Sequence, residues 1–150
     1  MTDHKPRLFA DDAAIRRVGE GLVDHSLPRE DWTHEAHIAA TAWMIAERPD
    51  IVPERDLPAL IAAYNVAVGG VNDDHNGYHE TITQAYVAGV RGFVAAHPAL
   101  QLAALVNALL AAPEGRRDWP LRFYSRERLF SVAARRAFVA PDLAPLPAVE

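Results

Sequence analysis

The feature that most constrains this chain is the segment HEAHIAATAWMIA, residues 34–46, which carries apolar side chains around every side of a helix and a single charge, Glu35. Laid out at about 100° per residue, one face holds Trp32, Ala36, Ala39, Trp43 and Ala46. The opposite face holds His34, His37, Ile38, Thr41, Met44 and Ile45. A helix that is apolar all round must be buried all round, so the remaining sequence has to supply enough elements to surround it. With 150 residues, the chain is long enough to do so within one domain.

The flanking sequence meets that demand with helical spacing. No alternating run with β-branched residues lasts long enough to specify a strand. The pattern predicts an all-α fold: a single-domain helical bundle of about five main helices, a short C-terminal helical segment and an irregular tail. The first helix is expected from Asp11 to His25, with Ile15, Val18, Leu22 and Val23 on one stripe. The second begins near Thr33 as its cap and stops before Pro49. The third starts around Asp56, where Asp-Leu-Pro offers a cap and a first-turn proline, and ends at Gly69-Gly70. The fourth runs from Tyr78 to Ala96 and the fifth, almost uncharged and therefore core, from Pro98 to Ala112. Shorter pieces are expected from Ser125 to Phe130 and from Ser131 to Val139. Residues 1–8 read as a loose N-terminus, 9–140 as the helical domain, and 141–150 as a proline-rich tail lying over the surface.

The absence of cysteine excludes disulfides, thiolate nucleophiles, iron-sulfur clusters and cysteine zinc sites. A formal net charge of −5 argues against a general nucleic-acid binder, which needs a basic surface. The first residues carry charges where a signal peptide needs an apolar core, and no run approaches the ~18 apolar residues of a spanning helix. The expectation is a soluble, cytoplasmic protein with no membrane partner. Against this acidic background, seven arginines between Arg116 and Arg136 face only Asp118 and Glu127. Such a cluster serves either internal ion pairing or capture of a small anionic group.

Two histidines on the buried second helix need hydrogen-bond partners or a metal, since an unpaired buried polar atom costs about 1–3 kcal/mol. His34 and His37 are three apart, a spacing from which two rings can converge on one cation. On the fourth helix His79 shares a face with Ile82, Thr83, Tyr86, Val90 and Phe93, and ligand sites in bundles come from facing helices. Three imidazoles with an open coordination position would suit zinc, iron, nickel or manganese. The competing expectation is that each imidazole is satisfied by hydrogen bonds inside the core. Neither HEAH nor HETIT is the H-E-x-x-H of a zinc protease, and no Glu-x-x-His pair of the di-iron type occurs on the helices.

Around these histidines, Tyr78 and Glu80 are candidate proton donors or acceptors. Glu80 also reads as a carboxylate at the third position of its helix, with Gly77 as the cap. Asn65, Thr83 and Tyr86 are candidate substrate contacts, although Asn65 also reads as turn chemistry. Arg126 or Arg128 would hold an anionic group; being two apart on a helix, they point in different directions.

The segments WTHEAHIA, YN at Tyr64, NGYHETIT and YSRERLFS, together spanning residues 31–131, carry a resemblance. On them the chain resembles an uncharacterised family of small bacterial all-α proteins. The resemblance implies a single-domain protein and brings no catalytic assignment. The arrangement is also similar, as architecture alone, to the small four-helix metal-binding bundles of the DinB type, which use three histidines. The chain departs from that group in carrying its H-x-x-H early. The function expected is a metal-dependent small-molecule enzyme built on His34, His37 and His79. The alternatives are a noncatalytic protein that binds a small polar ligand through a hydrogen-bonded histidine cluster, and a homodimer formed through helical faces.

Overall fold

Asp11 lies in extended backbone and accepts the Ala14 N–H on its carboxylate at 2.9 Å. That cap starts α1 (Asp12–Asp24), which ends where His25 adopts the left-handed conformation with φ 67°. Thr33 caps α2 (His34–Glu47) in the same way, its hydroxyl accepting the Ala36 N–H at 3.1 Å. In this computed structural model, which describes residues 5–147, every regular element is helical and no strand occurs among the described residues.

The third helix begins earlier than its sequence suggests. α3 (Pro53–Ala67) places Pro53, not Pro58, in its first turn, where a missing N–H costs nothing. Asp56 is therefore inside the helix, and its carboxylate accepts the Val52 N–H at 2.9 Å. Pro58 then sits in the helix interior and leaves the Glu54 carbonyl without its usual donor. The Gln84 side chain supplies one from α4 (Glu80–Ala96), at 3.0 Å. The fifth helix begins later than expected: α5 runs Leu102–Ala111, and Leu100 is exposed. No side chain of its own caps α5. The Asp12 carboxylate of α1 does so instead, accepting the Ala103 N–H at 2.7 Å. Ser125 and Ser131 cap the short helices α6 (Arg126–Leu129) and α7 (Val132–Arg136).

The apolar segment takes the central position its composition demands. α2 packs against α1, α3, α4 and α5, and Ile38, Ala39, Ala40, Ala42 and Met44 are fully buried. Its alanines and a glycine opposite allow close approach: a Cβ at Gly19 would lie 2.2 Å from the Trp43 ring. Core side chains from α1 to α5 join Trp119 in one continuous cluster.

Of the N-terminal residues expected to be loose, 1–4 lie outside the described residues. Arg7 is held, its N–H donating to the Glu35 carboxylate at 3.2 Å. The C-terminal tail follows the surface without regular structure as far as residue 147, and 148–150 lie outside the described residues. Asp142 accepts both the N–H and the hydroxyl of Ser125, and the Leu143 N–H donates to Phe123. No helix among the described residues is long and apolar enough to cross a membrane.

Candidate functional site

His34 and His37 leave the start of α2 in different directions. His34, the first helical residue, bonds through Nε2 to the Gly115 carbonyl at 2.8 Å, and its ring meets Tyr86 edge-on at 5.5 Å. His37 instead lines a cavity of about 310 Å³ with Trp32, Ile61, Asn65, Tyr78, His79 and Thr83. The two share a sector of the helical wheel, but at the N-terminus each long side chain can lean toward whichever partner lies beside it.

His79 is not on the first turn of α4. It is the capping residue in extended backbone, φ −131° and ψ 109°, so the helical wheel does not apply to it. Its Nδ1 accepts the Ile82 N–H at 3.1 Å, and its Nε2–H donates to the Leu129 carbonyl at 2.8 Å. These bonds fix the tautomer and engage both ring nitrogens. Burial lowers the imidazole's pKa and nearby Arg135 adds to that, while the bond to Leu129 opposes it. The structure thus brings His37 and His79 to one cavity and sends His34 to another. Among the described residues, no group of three His, Cys, Asp or Glu side chains is placed to hold a metal ion.

The His37 ring has no hydrogen-bond partner among the described residues. It contacts the Trp32 ring edge-on at 5.3 Å. Burial, reinforced by neighbouring His34, drops its pKa to about 4, so the imidazole is neutral near pH 7. Asn65 donates to Asn72 at 3.0 Å, leaving its amide oxygen without a donor among the described residues. Among the described residues, no Asp, Glu, Lys or Arg side chain lines this cavity. An adjoining cavity of about 450 Å³ shares Trp32, Asn65 and Gly77 with it and adds Tyr64 and Arg29.

The remaining candidates divide between neighbours. Tyr78 lines the His37 cavity, but its hydroxyl donates to the Glu80 carboxylate in a short hydrogen bond. Burial and Glu80 raise its pKa, with a hydrogen bond involving Thr83 acting the other way. Glu80 is the first residue of α4 rather than the third, because His79 and not Gly77 is the cap. Its carboxylate is occupied by Tyr78 and, at 3.3 Å, by Gln84, and it does not line the cavity. Tyr86 donates to the Arg116 carbonyl at 2.7 Å, next to His34. Arg128 donates to the Ala140 carbonyl at 2.5 Å and holds the chain just before the tail. Arg126 lines the cleft that contains His34. Neither arginine reaches His37.

Three residues matter here that sequence reasoning passed over. Trp32 forms a cavity wall because it lies just after a 3-10 turn (Arg29–Asp31) and before α2 (φ −84°, ψ 77°), off the helical wheel that grouped it with Trp43. Asn72 organises the loop from α3 to α4: its Oδ1 accepts from both Asn65 and Tyr78, and its Nδ2 donates to the Ala62 carbonyl. Glu35 is a buried carboxylate, not a surface charge, with Arg117 3.6 Å away. Burial works to raise its pKa, but backbone N–H donors and Arg117 hold it below the usual carboxylate range. The only advance signal was a charge on a helix with no solvent side. No family model matches this chain, and no curated protein or solved structure does.

Proposed function

We propose that the chain is a small-ligand-binding protein whose site is the His37 cavity. The ligand class is an uncharged polar molecule with a flat face. One observation carries the reading: of the three histidines, His37 alone keeps both ring nitrogens free of protein partners among the described residues while facing a cavity. A neutral imidazole offers one donor and one acceptor. The unpaired Asn65 oxygen adds an acceptor, and the Trp32 ring offers a stacking surface. Polar groups of this kind in an uncharged cavity fix the orientation of a ligand through hydrogen bonds rather than charge.

Metal-dependent chemistry at the same histidines would require His79 to give up the bond from Ile82, since a metal takes the ring lone pair that the Ile82 N–H now occupies. The two readings separate in a single set of measurements. Nicotinamide and uracil serve as uncharged planar probes, followed by NMR at the Trp32 indole and the Thr83 amide. Saturable shifts at both positions, lost in His37→Leu, are expected. Metal content of untagged protein is expected to stay far below one ion per chain and to be indifferent to His37→Ala and His79→Ala. Stoichiometric metal that those substitutions abolish would overturn the reading, as would probe shifts that survive His37→Leu.

A further inference from the structure

The arginine cluster near the C-terminus is spent almost completely on the protein itself. Arg116 pairs with Asp118 at 3.1 Å and Arg117 with Glu35 at 3.6 Å. Arg122 lies over the Trp119 ring, 5.7 Å from its centroid. Arg128 holds the Ala140 carbonyl and Arg135 that of Gly77, at 2.9 Å, while Arg136 pairs with Asp74 at 2.7 Å. Arg126 is the exception: its guanidinium has no hydrogen bond or ion pair to any described residue. It stands at a cleft of about 460 Å³ whose apolar lining includes Leu110, Ala111, Leu121 and Phe130.

Charge and shape at this cleft point the same way. Among the described charged residues lining it, the Arg116 and Arg117 charges are matched by Asp118 and Glu35, which leaves the positive charge of Arg126. The cleft falls within the roughly 300–1,000 Å³ range of sites for small organic ligands. Phe130, an aromatic ring one helical turn beyond Arg126, is more than half exposed (56%). An exposed aromatic beside an apolar hollow leaves hydrophobic area that a ligand can cover at about 25 cal/mol per Å².

We infer that this cleft binds an amphipathic monocarboxylate, with Arg126 forking onto the carboxylate and the apolar body lying on Leu121 and Phe130. Guanidinium geometry favours a carboxylate, which it can engage through two parallel N–H donors. The cleft is separate from the His37 cavity, and either can fail without the other.

The test uses the full chain, with octanoate as the probe, 1-octanol as the uncharged match and acetate as the charge-only match. Calorimetric titration is combined with NMR of the Leu110, Leu121 and Phe130 signals. Octanoate is expected to bind with shifts at those residues, octanol more weakly, and acetate without measurable affinity. Arg126→Gln should weaken octanoate by about tenfold or more, and Phe130→Ala should weaken octanoate and octanol alike. Arg122→Gln, which removes an equal charge away from the cleft, should leave both unchanged. Circular dichroism confirms that each variant is folded. The inference is overturned if millimolar octanoate neither binds nor shifts these signals, if acetate binds as well as octanoate, or if Arg126→Gln and Arg122→Gln weaken octanoate equally.

Discussion

His37 is neutral where a solvated histidine would be partly charged, and that difference links its burial to the stability of the fold. Its folded pKa is about 4, against about 6.5 for the unfolded chain. Between those values the unfolded state binds more protons, so stability rises with pH through the window. The contribution is complete above about pH 6.5 and is lost as pH falls toward 4, with an upper bound of about 3 kcal/mol. His79 is also lowered and keeps part of the slope whatever happens at position 37. Urea denaturation at intervals from about pH 7 to pH 5 should show wild-type stability falling with acidity and a flatter profile for His37→Gln. Parallel profiles would show that position 37 does not carry the effect. The ordinary carboxylates begin to protonate at the lower end of this range, so the comparison between variants matters more than either curve alone. The sequence marked His37 as a buried imidazole in need of partners. It could not show that the described residues would leave the ring without a hydrogen-bond partner, because that depends on where Trp32, Asn65 and Tyr78 come to lie.

Whether an element was legible depended on whether its ends were set by its own residues. Asp11, Thr33, Ser125 and Ser131 are local caps, and the helices they start begin where spacing and capping chemistry predict, although α7 stops at Arg136, short of the expected Val139. α5 begins later than its proline suggests, and its Ala103 N–H is served by Asp12 from 91 residues earlier in the chain. α4 was misread for a related reason. Its cap is a histidine held in place by the Leu129 carbonyl, a contact 50 residues away, and a histidine is not among the preferred capping residues. The contact between α1 and α2 carries a sharper prediction. In an ordinary helix interior, replacing glycine by alanine gains roughly 0.5–1 kcal/mol. At Gly19 the added Cβ would meet the Trp43 ring at 2.2 Å, on the fully packed side of α2. Gly19→Ala should therefore destabilise the protein, by about 1–3 kcal/mol as for other overpacked cores. Trp43→Leu should offset much of that loss in the double variant, because the two changes act on one contact. A stabilised Gly19→Ala protein would mean that α1 and α2 are not so closely packed.

At the scale of the molecule, one helix that could not face solvent dictated that others surround it, and α1, α3, α4 and α5 do so. That much was written in a run of alanines and large apolar residues. The assignment of the arginines was not. Seven cations in one segment read as internal pairing or as capture of an anionic group, and only the packed chain shows that all but Arg126 have partners among the described residues. Much of that segment is structural: it fastens the C-terminal third of the chain to the bundle. Arg136 reaches the loop before α4, Arg128 holds the chain before the tail, and Ser125 joins α6 to Asp142. Ser125 has two roles, since its Oγ accepts the Arg128 N–H that starts α6 while its hydroxyl donates to Asp142 at 2.6 Å. Removing the Asp142 carboxylate therefore frees the tail and weakens a cap at once. Asp142→Ala should cost on the order of 1 kcal/mol, the usual worth of a cap or a single hydrogen bond. The loss should be local, because the α2 core does not depend on the tail. Hydrogen exchange is expected to quicken at the amides of Ser125, Arg128 and Leu143, which Asp142, Ser125 and Phe123 now accept. Amides in the middle of α2 should exchange more slowly and change only as far as global stability does. Uniform loss of protection across α2 and α6 would instead make the tail part of the cooperative core, and the C-terminal segment would no longer be a strap over an independent bundle.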